Sequence, residues 1–301
     1  MKSVAKELVQ DAVCVELSDP KFPEYLKEAE AIFGLGLKVD KAFLDAAPKL
    51  KVVALTSVGY DGCDLNLIKE RGIVLTNTPK VLNETTADLA FGLLMATARR
   101  IPETQEWLKA GNWKSAVTEE VFGTDIYGKR LGLIGLGGIG QAIAKRGHFG
   151  FDMEICYHTR TKKTDLPFPA THMGLDELLK TSDFVMVILP LSSETKALIG
   201  KRELSLMKKD AILINAARGP IVDETALYEA LKNKTIRAAG LDVFEVEPLP
   251  MTSPLLELKN VVLTPHIGSA TDATRAGMVR VAAENLLAAL RQETPKNLVT
   301  K

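Results

Sequence analysis

The sequence predicts an α/β protein built as two parallel-sheet domains, and three observations predict it. Short apolar runs of strand length alternate with helical stretches almost throughout, the pattern of parallel sheets covered on both faces. A glycine-rich turn, Gly135-Leu-Gly-Gly-Ile-Gly140, separates one such run from a helix near the middle of the chain. At 301 residues the chain is long enough for two hydrophobic cores.

The elements follow in order. A helix is expected from Ser3 to Ala12, then strands at Val13–Leu17, Ala31–Leu35, Val52–Thr56 and Val74–Thr76, each closed by a polar turn. Thr85 to Arg100 reads as a helix with Ala87, Ala90, Leu94 and Ala98 on one face, linking the first domain to the second. The segment Trp107–Trp113, two aromatics around a Gly-Asn turn, fits either core or a subunit interface. Lys129–Ile134 is a buried strand, Ile139 to Phe149 an amphipathic helix and Glu154–Tyr157 the next strand. Phe184–Leu189, Ala211–Asn215, Ala238–Asp242 and Val261–Thr264 continue the second sheet, with a helix at Asp223–Lys232. The last long helix, Thr271 to Arg291, is amphipathic and is expected to return to the first domain. The division is therefore 1–77 with 267–301, and 78–266. Between the two domains a cleft is expected, where ligands meet the carboxyl ends of strands.

Charge and composition exclude several classes. Lys plus Arg and Asp plus Glu both number 38, so a nucleic-acid surface is not expected. Charges recur too often in the first residues for a signal-peptide core, and the most continuous apolar run, Phe184–Leu189, is too short to cross a bilayer. Cys14, Cys63 and Cys156 have no metal-like spacing, and an odd number of scattered thiols fits a reducing cytoplasm. Neither a metal site nor a membrane contact is expected.

The glycine turn takes its meaning from its flanks. Between a strand and a helix, Gly135 permits the tight turn, Gly137 lets the backbone approach a pyrophosphate, and Gly140 lets the helix pack on the strand. The helix start adds free N–H groups and a positive dipole end. Gly135, Gly137, Gly138, Ile139 and Gly140 thus read as a dinucleotide loop. The following strand ends in His158-Thr-Arg-Thr-Lys-Lys163, where an NAD site places an acid on the ribose hydroxyls. No acid stands between Glu154 and Asp165; Arg160, Lys162 and Lys163 do. His158, Thr159, Arg160 and Thr161 therefore point to a 2′-phosphate, and to NADP(H) in preference to NAD(H). Use of NAD(H) stays open, because three cations also suit an ordinary solvated loop.

Three later strand ends carry reactive side chains: Arg218 after 211–215, Glu247 beyond 238–242, and His266 after 261–264. Singly each has an ordinary explanation as ion-pair partner, solvated acid or turn cap. Together they bring a cation, a carboxylate and an imidazole to the sheet edge that holds the glycine loop. Further motifs are Ser57-Val-Gly-Tyr-Asp61, Thr86-Ala-Asp-Leu-Ala90, Asn215–Asp223, Gly240–Pro250 and Pro265-His-Ile-Gly-Ser269. With these the chain resembles the D-isomer-specific 2-hydroxyacid dehydrogenases over nearly its whole length. The resemblance is nearest their glyoxylate/hydroxypyruvate and 2-ketogluconate reductase branch.

The resemblance implies two Rossmann-like or flavodoxin-like domains and NADPH-dependent reduction of a small anionic 2-oxo acid to a D-2-hydroxy acid. It implies that Arg218 grips the substrate's carboxylate and carbonyl oxygen, and that His266 is the general acid of reduction. Glu247 is expected to accept the other imidazole N–H and stabilise the imidazolium. The backbone N–H groups of Val58 and Gly59 are expected on the substrate carboxylate. Asp242 is expected to face the nicotinamide carboxamide, with Pro190, Ala216 and Gly268 lining the cofactor. A homodimer through the cofactor domain is implied as well. His148 and His172 are expected to be structural, and His158 to touch the adenosine.

One departure stands out. Members of this family begin with a strand, whereas here Met1 stands almost inside the first helix. The N-terminal domain is therefore expected to lack its first strand and to expose a strand edge. Normal NADPH binding with poor turnover would follow. The alternative function is a catalytically weak, truncated nucleotide-binding or corepressor-like protein of the same fold. The basic run after the second strand of the cofactor domain argues against it. A D-lactate or phosphoglycerate dehydrogenase would be expected to carry an acid near His158.

Overall fold

The computed structural model describes residues 2–9 and 13–300. In chain order the helices are α1 Lys2–Leu8, α2 Phe22–Glu28, α3 Lys41–Ala46, α4 Leu65–Glu70, α5 Asn83–Ala98, α6 Ile101–Lys109, α7 Gly138–Phe151, α8 Leu175–Thr181, α9 Lys201–Leu206, α10 Glu224–Lys232 and α11 Asp272–Leu290. The strands are β1 Ala31–Gly34, β2 Val52–Leu55, β3 Val74–Thr76, β4 Arg130–Ile134, β5 Glu154–His158, β6 Thr171–His172, β7 Phe184–Val187, β8 Ile212–Asn215, β9 Ala238–Leu241 and β10 Val261–Leu263. The chain divides into two compact units. One holds the residues up to Asn83 and those from Ser269 onward; the other is Glu84–Gly268. The first crossing lies at Asn83 rather than 77 because the intervening backbone stays tied to the first unit. Asn77 N donates to Asn297 O at 3.2 Å and Thr78 N to Ser57 O at 2.9 Å.

In the first unit β1, β2 and β3 form a parallel sheet in that order. Successive side chains of β2 point to opposite faces. Val53 and Leu55 join Leu44, Ile68 and Leu75 in one cluster, while Val52 and Ala54 pack on Ala282 and Leu286 of α11. Asp40 and Asp64 cap α3 and α4, each accepting a backbone N–H at 3.0 Å. The strand expected at Val13–Leu17 does not form. A strand needs a neighbour for its backbone groups. Among the described residues the sheet ends at β1, and Val13 and Leu17 are exposed. No strand precedes β1 among the described residues. The helix expected from Ser3 to Ala12 is observed as α1, and its residues 10–12 lie outside the described residues.

The second unit is built on a seven-stranded sheet, β10-β9-β8-β7-β4-β5-β6, with every pair parallel. β7, β8 and β9 are buried at every position, as strands covered on both faces must be. On one face lie α5 and α7, with Ala87, Ala90, Leu94 and Ala98 of α5 buried against Leu131, Leu133 and Met186. On the other lie α8, α9 and α10, through Leu178, Leu204 and Leu227. Strand order reverses between β4 and β7, where the carboxyl ends of an open parallel sheet form a crevice.

The segment Trp107–Trp113 is not core. α6 buries none of its residues, and Leu108, Trp113, Val117 and Phe122 are exposed. No helix among the described residues is long and apolar enough to cross a membrane.

Candidate active site

The glycine turn leaves β4 at the crevice. Gly135 has φ +105°, and a Cβ there would lie 2.5 Å from Ile188 O, so both its conformation and its neighbour demand glycine. Gly135 N donates to His158 O at 3.0 Å, which fastens the turn to the end of β5. Gly137 is the N-cap of α7 and has no side chain to cap it; a Cβ there would meet nothing within 4 Å. Gly138 and Ile139 begin the helix, whose first N–H groups have no intrahelical acceptors. A Cβ on Gly140 would meet Gly135 O at 2.6 Å, so helix and turn approach as closely as backbones can. An uncapped fourteen-residue helix under open space at Gly137 can receive a pyrophosphate.

Beyond β5 the chain runs through the cationic segment. The Arg160 side chain is 92% exposed, and its Nη1 lies 3.5 Å from a carboxylate oxygen of Glu194. Thr159 Oγ1 donates to Thr161 O at 2.8 Å. His158 Nδ1 lies 3.1 Å from Met173 O. His172 lies on the short edge strand β6, with Nε2 2.9 Å from Thr159 O. Pro190 follows β7 and Ala216 follows β8, so both stand at the same sheet edge as the glycine turn. His148 is on α7 beside Phe149 and Phe168.

Arg218, Glu247 and His266 follow β8, β9 and β10, three adjacent strands. The Asn215 side chain braces the Arg218 loop: its amide donates to Arg218 O at 3.0 Å and its carbonyl accepts Ala217 N at 3.1 Å. Arg218 is half-buried, with Nη1 donating to Ala217 O at 2.7 Å. His266 Nδ1 lies 2.7 Å from Glu247 Oε2, while Phe244 N donates to the other oxygen at 3.0 Å. The carboxylate is thus held from two sides, and the imidazole presents Nε2. His266 is 47% exposed and can exchange a proton with a ligand.

The backbone of His266 is left-handed, φ +52°, immediately after Pro265. A histidine stays there only where its surroundings demand it. Asp242 supplies that demand. It is 2% exposed and accepts Thr264 Oγ1 at 2.6 Å, Ile267 N at 2.9 Å and Gly268 N at 2.9 Å. Burial pushes its carboxyl up, opposed by those three hydrogen bonds and by the charge of His266. Asp242 therefore braces the turn that aims His266, and Gly268 is one of its partners.

In the first unit, Val58 and Gly59 sit just beyond β2. Ser57 O accepts Thr78 N at 2.9 Å, Val58 O accepts the Asn77 amide at 2.9 Å, and Ser57 Oγ donates to Gly59 O at 2.7 Å. In a trans peptide the N–H points opposite the carbonyl. Holding the carbonyls of Ser57 and Val58 thus fixes the directions of the Val58 and Gly59 N–H groups. Asn77 is held in turn by Asn285, whose amide donates to Asn77 O at 3.3 Å. Sequence reasoning missed Asn77, Asn215 and Thr264. Each is an ordinary polar residue whose partner becomes visible only in the folded chain. No group of His, Cys, Asp and Glu among the described residues can hold a metal ion.

Comparison with known proteins agrees with this fold. The family model described as D-isomer specific 2-hydroxyacid dehydrogenase, NAD binding domain, matches residues 91–268. A glyoxylate/hydroxypyruvate reductase B of Erwinia tasmaniensis is 49% identical over 93% of this chain and 88% of its own length. A crystal structure of a Thermus thermophilus protein superposes with a TM-score of 0.90 at 43% identity, covering 98% of this chain and 96% of that one. An NADPH-dependent glyoxylate/hydroxypyruvate reductase of Sinorhizobium meliloti, crystallised with NADP and malonate, superposes with a TM-score of 0.84. It is 40% identical and covers 91% of this chain and 85% of its own. Motif order, parallel-sheet topology and these likenesses agree, and the chain belongs to the D-isomer specific 2-hydroxyacid dehydrogenase family.

Proposed function

We propose that the protein is an NADPH-dependent reductase of small 2-oxo acids, glyoxylate and hydroxypyruvate foremost and 2-ketogluconate as a further substrate, yielding D-2-hydroxy acids. One observation carries the reading: a carboxylate-held imidazole, His266 to Glu247 at 2.7 Å, stands on the sheet edge that bears Arg218 and the glycine turn. The activities of the Erwinia and Sinorhizobium relatives support the substrate class.

The uncapped start of α7 and the open space at Gly137 fit a dinucleotide pyrophosphate, held by Gly135, Gly137, Gly138, Ile139 and Gly140. Pro190, Ala216, Asp242 and Gly268 line the remainder of the cofactor. When bound, the cofactor supplies the hydride. Arg218 grips the carboxylate and carbonyl oxygen of the substrate and polarises the C=O. Val58 and Gly59 N–H groups hold the same carboxylate. His266 gives its Nε2 proton to the oxygen that becomes the hydroxyl, and takes it back in the oxidative direction. Glu247 holds Nδ1, which stabilises the imidazolium and fixes the ring orientation. Arg218 and His266 together neutralise the negative charge that develops on the carbonyl oxygen.

Preference for NADP(H) over NAD(H) is supported by Arg160, Lys162 and Lys163 beside His158, Thr159 and Thr161, and by the NADP-bound Sinorhizobium relative. The exposed apolar side chains after α6 support a homodimer. A reducing cytoplasm suits the three free thiols. The intact Arg218, Glu247 and His266 set disfavours a silent, corepressor-like role.

The test is loss of reduced-nicotinamide absorbance with each of the three 2-oxo acids, under both cofactors. NADPH turnover with glyoxylate or hydroxypyruvate is expected. His266→Ala should lower kcat by about 10²–10⁴-fold and leave NADPH affinity within about twofold. Absence of turnover with all three acids, or an active His266→Ala, refutes the proposal.

A further inference from the structure

We infer that Tyr157 and His172, two side chains outside the cofactor motif, are positioning residues that set discrimination for the 2′-phosphorylated nucleotide by pinning both ends of the 159–163 loop. The inference rests on reading that loop as the 2′-phosphate site.

Packing alone does not order this loop. Residues 160–163 are exposed, and among the described residues the ion-pair partner of the Arg160 guanidinium is an exposed carboxylate, Glu194. Backbone tethers hold it instead. At the far end Lys163 N donates to the Tyr157 hydroxyl at 3.0 Å, and that hydroxyl donates back to Lys163 O at 3.4 Å. At the near end His172 Nε2 lies 2.9 Å from Thr159 O; a carbonyl only accepts, so the ring donates from Nε2. Thr159 Oγ1 then closes a small turn onto Thr161 O.

The two pins form one unit. Their ring centroids are 5.1 Å apart, and their backbones are paired in the parallel register of β5 and β6. Tyr157 is 1% exposed and belongs to the core beneath the loop, so the anchor is rigid. The short β6 strand thus brings a ring nitrogen to the loop from the sheet edge.

A phosphate is recognised by several donors converging at once, and each donor on a slack loop must be ordered when the phosphate binds. Tethering both ends orders the loop beforehand. A nucleotide without the 2′-phosphate does not draw on that convergence, so slackening the loop should affect the two nucleotide classes unequally. A merely structural role would affect them alike.

The test is calorimetric binding of adenosine 2′,5′-bisphosphate and of 5′-AMP, which differ only in the 2′-phosphate. Melting temperature is followed to verify folding. Tyr157→Phe removes the hydroxyl alone, and His172→Phe removes the ring donor. Each should weaken the bisphosphate about fivefold to tenfold, the equivalent of one hydrogen bond, and shift 5′-AMP by less than about twofold. His172→Gln keeps an N–H donor and should recover most of the loss. The KM for NADPH should rise in parallel while kcat at saturation stays put. A wild-type gap between the two fragments that survives in both Phe variants overturns the inference and leaves the 2′-phosphate reading standing. Equal weakening of both fragments overturns it too. Equal wild-type affinities would overturn the 2′-phosphate reading itself, and the inference with it.

Discussion

Gly219 is the most demanding position beside Arg218, and its substitution probes whether the proposed catalytic edge depends on backbone-to-backbone contact. A Cβ built on Gly219 would lie 1.8 Å from Phe244 C, 1.9 Å from Phe244 O and 2.4 Å from Glu245 N. All three are backbone atoms, so no rotamer change relieves the clash. In Gly219→Ala the loops after β8 and β9 must part by roughly 1.6 Å before carbon reaches an ordinary contact distance. One loop carries Arg218 and the other leads to Glu247, so the guanidinium and the carboxylate that holds His266 separate together. Displacement of about 1 Å at reacting groups lowers turnover by about 10²-fold, and two displaced groups should push kcat/KM for glyoxylate down by at least that factor. Overpacking of this kind destabilises by about 1–3 kcal/mol, a drop in Tm of about 2–12 °C for a unit of this size. Ala216 and Asp242, which the proposal sets along the cofactor, lie at the roots of the parting loops, while the glycine turn lies on a different strand, so NADPH affinity should fall by a smaller factor than kcat/KM. The assay pairs steady-state reduction with calorimetric NADPH binding and a thermal melt. An alanine variant with near wild-type kcat/KM, or one that loses NADPH binding in step with turnover, would refute the reasoning.

Three other outcomes are expected. Arg160→Ala should raise the KM for NADPH about tenfold or more and leave that for NADH nearly unchanged, as kinetics with both cofactors will report; equal losses would undo the assignment. Glu247→Gln removes the charge paired with His266 but keeps its shape, and should lower kcat by about 10²-fold with little change in the KM for cofactor, measured at several pH values. Asp183 feels burial first, which raises its carboxyl. The Lys208 ammonium at 2.8 Å and the Arg130 N–H at 2.9 Å outweigh this and hold it below the usual carboxylate range. A lowered folded-state value means stability present above the unfolded value near about 3.9 and lost as pH falls through the folded one. Asp183→Asn should therefore lose about 1 kcal/mol at pH 7 and progressively less as pH falls below the usual carboxylate range, a trend that urea titrations across that range resolve.

How far the molecule was legible in advance depended on how local each signal was. The alternation of runs and helices was legible because a parallel sheet buried on both faces needs continuous apolar strands, and β7, β8 and β9 are such strands. The α5 stripe was legible for the same reason, from helical spacing alone. Val13–Leu17 misled because a strand-like composition does not make a strand without a neighbour to pair with. The edge strand β6 escaped notice because two residues carry no periodicity.

The order of motifs along the chain determined by itself the α/β class and the glycine turn and singled out Arg218, Glu247 and His266 as candidates, since each follows from residues adjacent in sequence or from strand ends. The tertiary structure alone decided how those residues are aimed. Asp242 reaches across to residues 264, 267 and 268 to hold His266 left-handed, Asn77 turns the Val58–Gly59 peptide, and Tyr157 with His172 ties down the cationic loop. These are hydrogen bonds between strand ends and loops separated by six to twenty-six residues. Their strength depends on distance and angle in the folded chain, which no spacing in the sequence specifies.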